Sequence, residues 1–168
     1  LISYNYISGE PLTGLAEGRP LFVRSANDKF NLANFIRTHL YASVGVLKLG
    51  NDILFNDEKV SVDRITGHGG LFKTKGVGQR ILAAAINSPI SVMETAGEGG
   101  AWGIALLASF LVNNNGQSLA DYLDNVVFAG DAGVEIKPTA EDVAGFNKYI
   151  ENYKACLAIE EAAVKAKN

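Results

Sequence analysis

Cysteine is all but missing. Cys156 is the only one in 168 residues, so no internal disulfide can form, the usage expected in a reducing cytoplasm. Histidine is nearly as scarce, with His39 and His68 alone, which leaves too few soft ligands for a zinc site. No uninterrupted apolar run reaches the ~20 residues that a helix needs to cross a bilayer. The longest, Ala101 to Val112, reads as a buried core helix. Neither sign of charge dominates: 15 Lys and Arg stand against 18 Asp and Glu, a formal net charge of −3. The cations are scattered, so nothing points to nucleic acid or to a membrane surface as partner. No G-x-x-x-x-G-K-[ST] stretch occurs, which excludes a P-loop, and no G-x-S-x-G stretch, which excludes a nucleophile elbow. The chain opens at Leu1 without a signal-like segment, and a start other than Met suggests a piece of a longer protein.

What is present is an ordinary globular balance, 48% hydrophobic and 20% charged residues. At this length a single domain over 1–168 is expected, since domains usually run to ~100–200 residues. Residues 1–31, rich in Gly, Pro, Ser and Asn, read as irregular or short-stranded, with turns at Gly9-Glu10-Pro11 and Gly18-Arg19-Pro20. Leu32, Phe35, Ile36, Leu40, Val44 and Leu47 then recur at helical spacing, with Asn31 as N-cap and Gly50 as stop. Lys59 to Thr66 reads as a strand and Gly76 to Asn87 as a helix. Pro89 to Glu94 reads as a second strand, and Gly99 to Val112 as a third helix. A short helix near Leu119–Leu123, a strand at Val134–Ile136 and a long helix after Thr139 complete the pattern. Its inward residues are Val143, Phe146, Ile150, Tyr153, Leu157 and Ala163. Helix–strand–helix–strand–helix in the middle predicts an α/β layer built on parallel strands.

Two glycine clusters join strand to helix. In Gly67-His68-Gly69-Gly70 the paired glycines let backbone approach a ligand, and a helix N-terminus beyond them favours an anion. The same pair would also serve merely to turn a tight strand-to-helix corner. The second cluster, Gly97-Glu98-Gly99-Gly100-Ala101-Trp102-Gly103, puts Trp102 where the third glycine of a dinucleotide fingerprint belongs, so close helix–sheet packing explains it better.

Ile65 to Lys73 with its Gly-His-Gly-Gly turn, Gln79 to Ala84, and Ser88-Pro89-Ile90 together resemble the ATP-site segment of FGGY carbohydrate kinases. Glu98 to Ala108 is similar to that family's E-x-x-A-x-G-x-A helix. Asn31–Leu49 and the stretch from Lys137 to Tyr153 resemble its preceding and closing helices. The set is collinear over nearly the whole chain, and looks most like the pentulose kinases, xylulokinase-like or ribulokinase-like.

The resemblance implies a ribonuclease-H-like, actin-like ATPase lobe of α/β class, a mixed sheet flanked by helices. It makes 1–168 the C-terminal nucleotide-binding domain of a two-domain sugar kinase, with the N-terminal sugar-binding domain absent. ATP and Mg²⁺ would be the cofactors, ATP or ADP the direct partner, and the sugar would be met through the missing domain. A homodimer is compatible with this reading. By position, Gly69 and Gly70 would touch phosphates or ribose, Lys73 would reach phosphate, and Thr74 would sit near the nucleotide. Leu71 departs from the family's three-glycine turn. Asp131, in Phe128–Gly133, mimics the segment of the family's catalytic base. That base precedes the nucleotide turn, so Asp131 reads as a surface turn residue. Neither the catalytic base nor a metal ligand is then expected in these residues, and the piece alone should be inactive. The alternative is a non-catalytic interaction or regulatory domain that kept the kinase fold.

Overall fold

The computed structural model describes residues 1–130 and 133–166; Asp131 lies outside them. The described residues form a mixed α/β structure with two small sheets, and the contacts group them into two compact units.

The first unit gathers residues 1–62, 81–87 and 138–166. Strands β1 (Ile2–Tyr4) and β2 (Leu21–Val23) pair antiparallel, Ser3 opposite Phe22. Helix α1 (Leu32–Asp52) starts where expected, because the Asn31 side chain accepts the Asn34 N–H at 2.9 Å and so supplies one of the partners a first turn lacks. It does not stop at Gly50. A π-helical turn over Ile53–Asp57 prolongs it, and the chain escapes only at Lys59, whose φ of 55° is left-handed. The face it buries is also narrower than the periodicity suggests: Thr38, Ala42, Val44 and Gly45 are buried, whereas Leu32, Ile36 and Leu47 stay exposed.

Helices α5 (Ala140–Ala155) and α6 (Leu157–Ala166) close this unit, the expected single long helix being interrupted at Cys156. Thr139 caps α5 by accepting the Asp142 N–H at 3.1 Å and donating to its carboxylate at 2.8 Å. Phe146, Tyr149, Ile150 and Tyr153 of α5 are buried, as are Ile2 and Tyr4 of β1. The Tyr4 and Tyr153 rings lie 4.7 Å apart, and the Tyr6 and Tyr153 hydroxyls share a 2.6 Å hydrogen bond. Burial pushes the phenols of Tyr4, Tyr149 and Tyr153 well above their ordinary range.

The second unit gathers residues 63–80, 88–130 and 133–137. Its sheet has the order β3 (Ile65–Thr66), β4 (Ile90–Val92), β5 (Val134–Ile136). β3 and β4 are parallel, as the alternation predicts, and β5 pairs with β4 antiparallel, Ser91 opposite Glu135. Only the end of the expected Lys59–Thr66 strand forms. Residues 60–64 are exposed, and the ladder with β4 begins only at Ile65. Helix α2 (Val77–Ile86) connects the parallel strands. Its residues from Ile81 on, among them the buried Leu82, Ala83, Ala84 and Ala85, belong to the first unit.

Helix α3 (Gly99–Asn113) forms as predicted but is not a core helix, since none of its residues is buried. Ile104 is 69% exposed, Leu111 78% and Val112 83%. With the 3₁₀ stretch Glu94–Glu98 before it, the helical run spans 20 residues, long and apolar enough by length and composition to cross a bilayer. Helix α4 (Leu119–Tyr122) covers part of α3: the buried Tyr122 packs on Phe110 at 5.5 Å between ring centres, and its hydroxyl lies 2.8 Å from the Ser109 hydroxyl.

Candidate functional site

Because β3 and β4 run parallel, the segments leaving Thr66 and Val92 emerge at the same, carboxyl, edge of the sheet. In α/β sheets that edge is where backbone turns and loops can converge on a ligand. Here they enclose a cavity of about 610 Å³, within the ~300–1,000 Å³ of ordinary small-molecule sites. One wall is the turn Phe72–Gly76 with Gln79, the other is Val92–Glu98, and Val134 and Ile136 of β5 complete it.

The walls are tied together by hydrogen bonds that leave the cavity open. The Gly67 N–H donates to Ser91 O at 2.9 Å and the Gly69 N–H to Ala96 O at 2.8 Å. Gln79 is buried, and its amide nitrogen donates to Ile90 O and Val134 O, both at 2.6 Å. The two N–H groups of one side chain thus join α2 to the central and the antiparallel strand.

The four residues singled out in the sequence fall in two groups. Lys73 and Thr74 line the cavity. Gly69 and Gly70 lie on the turn leading into its wall and are not lining residues. Gly69 has φ 105° and ψ −179°, a conformation open essentially to glycine alone. Its amide is taken by Ala96 O rather than left free. Gly70 begins a 3₁₀ turn, Gly70–Phe72, so its N–H has no partner within that turn. An added Cβ at Gly70 would meet nothing within 4 Å. The paired glycines therefore do not run straight into a long helix; α2 begins only at Val77.

Four participants were not legible as site residues in the sequence. Val134 and Ile136 come from a strand far along the chain, and nothing local marks them as wall residues. Gln79 belongs to a recognised segment, yet its double anchorage needs the sheet. Glu98 accepts a hydrogen bond from the Lys73 ammonium at 2.6 Å across the cavity's two walls, a pairing 25 positions apart. Among the described residues no group of three or more His, Cys, Asp or Glu side chains is placed to hold a metal ion.

The arrangement offers a largely apolar chamber with lysine and hydroxyl groups on one wall. That chemistry suits a ligand with a flat apolar part and an anionic part. The family model for the C-terminal domain of the FGGY family of carbohydrate kinases matches residues 1–112, a stretch that includes both walls except β5. No curated protein and no solved structure matches the chain.

Proposed function

This chain belongs to the FGGY family of carbohydrate kinases, and from that premise we propose that it is the nucleotide-binding half of a kinase phosphorylating a pentulose such as xylulose or ribulose. Kinases of the family are ATP-dependent phosphotransferases that typically use Mg²⁺, and their C-terminal domain has an actin-like ATPase fold. We read the three-stranded sheet as part of that fold's ribonuclease-H-like core, and residues 1–168 as one nucleotide-binding domain. The observation that carries the proposal is the cavity at the carboxyl edge of β3 and β4, inside the matched residues and lined by Lys73 and Thr74.

In this reading the adenine lies among the apolar residues of the chamber. The phosphates lie toward Lys73, Thr74 and the free N–H of Gly70. Phosphoryl transfer needs mostly positioning and charge stabilisation, with a base to take the hydroxyl proton. This half holds the donor. The acceptor sugar and the base belong to a sugar-binding lobe that these residues do not include, so the chain alone binds nucleotide and transfers nothing.

Calorimetric titration with MgADP tests this. The folded protein should bind with 1:1 saturation. Thr74→Trp, an exposed position whose new ring would fill the chamber, should weaken binding by about tenfold or more. Gly70→Val should weaken it too, by meeting the phosphates. A folded wild type that gives no heat, or a Thr74→Trp variant that binds unchanged, would overturn the assignment. A non-catalytic interaction domain is the second reading, favoured by the exposed apolar face of α3; it predicts the absence of nucleotide binding.

A further inference from the structure

We propose that Glu98 is a built-in competitor for the nucleotide's phosphates: it holds Lys73 while the cavity is empty and must be displaced for an anion to bind. The inference rests on the nucleotide reading of the cavity.

The Lys73 ammonium donates to the Glu98 carboxylate at 2.6 Å, and both residues line the cavity from opposite walls. Lys73 is seated rather than free to wander. Its stem lies over Gly97, where an added Cβ would stand 3.0 Å from Lys73 Cγ and 3.5 Å from Cε. That distance is too close for a side chain at 97 unless the lysine moves, so the glycine makes the room in which the stem lies. The carboxylate, for its part, is diverted from a local use. Glu98 occupies the N-cap position of α3, yet its side chain makes no capping hydrogen bond, although a carboxylate beside a helix N-terminus is favoured there.

The side chains are 57% and 74% exposed. A pair so accessible is worth little in water and is readily exchanged. A diphosphate brings more negative charge than one carboxylate and several oxygens, so it takes over the ammonium. The released Glu98 stands immediately before α3, at the helix end whose partial positive charge favours a carboxylate. Two states follow: Lys73 on Glu98 with the cavity empty, and Lys73 on phosphate with Glu98 turned toward the helix. The pair thereby lowers affinity for every anion and sets a charge threshold that a polyanion passes.

The test is calorimetric titration of the 168-residue chain with ADP, in wild type, Glu98→Gln, Lys73→Met and the double variant. Circular dichroism confirms that each is folded, which the exposure of both positions favours. Glu98→Gln should bind ADP about three- to fivefold more tightly, the range given by an exposed ion pair. Lys73→Met should bind more weakly than wild type, and adding Glu98→Gln to it should change nothing further. If the wild type binds ADP and Glu98→Gln binds no better, Glu98 is no competitor. If the gain persists without Lys73, the carboxylate acts by general repulsion and the latch is wrong. If no variant binds ADP, the nucleotide reading itself fails, and this inference with it.

Discussion

Gln79 shows how one side chain can hold a site without touching a ligand. It is buried, and its amide group satisfies carbonyls on two different strands. Replacing it by leucine keeps the approximate volume but leaves Ile90 O and Val134 O without that donor. A buried group stripped of its hydrogen bond costs ~1–3 kcal/mol. Gln79→Leu should therefore lower the free energy of unfolding by about 2 kcal/mol, measured by urea titration, with an unchanged midpoint as the contrary result. Residue-level signals were unevenly legible in the sequence. Asn31 and Thr139 announce their helices because capping is local chemistry, settled within three residues. Gly69 marks a turn for the same reason. The Lys73–Glu98 pair could not be read, since nothing in spacing tells which of many charged residues 25 positions apart will meet.

Among elements, the packing of β1 against α5 makes a pH prediction. Tyr4, Tyr149 and Tyr153 are buried, and burial resists forming the phenolate, raising all three from the ordinary value of 10.0. In the unfolded chain these groups ionise near that ordinary value, so above it the unfolded state binds fewer protons than the folded one. Stability is then fully present below pH 10.0 and falls as pH rises beyond it. Thermal melting followed by tyrosinate absorbance should show a falling melting temperature above that pH, with ionisation coincident with unfolding. Smooth titration of all six tyrosines in the folded protein would contradict the buried cluster. The helices themselves were legible from period and caps, and β5 from its short alternating run. The exposure of α3 was not. An apolar helix reads as core because apolar side chains gain by leaving water, but the sequence does not say whether the structure provides neighbours to cover it. The eight-residue reading of β3 failed for a related reason: strand length depends on a partner, and β4 offers one only to Ile65 and Thr66.

For the whole molecule, the central claim is that two segments leaving parallel strands form one nucleotide chamber, closed on a third side by β5. The alternation of strands and helices pointed to that edge, and the FGGY-like segments pointed to the same turn. What neither contained was the arrangement of the walls: the antiparallel return of β5, and the bond from Gly69 to Ala96 O that keeps the turn against the facing segment. Both are contacts distant in sequence, set by the folded sheet rather than by local preference. The most direct test is an amide NMR titration of the isotopically labelled chain with MgADP. The account predicts saturable shifts concentrated at residues 69–76 and 93–98, with smaller ones at 134–136 and none at the buried tyrosine cluster. Shifts confined elsewhere, or a spectrum of the folded protein that ADP leaves unmoved, would contradict it.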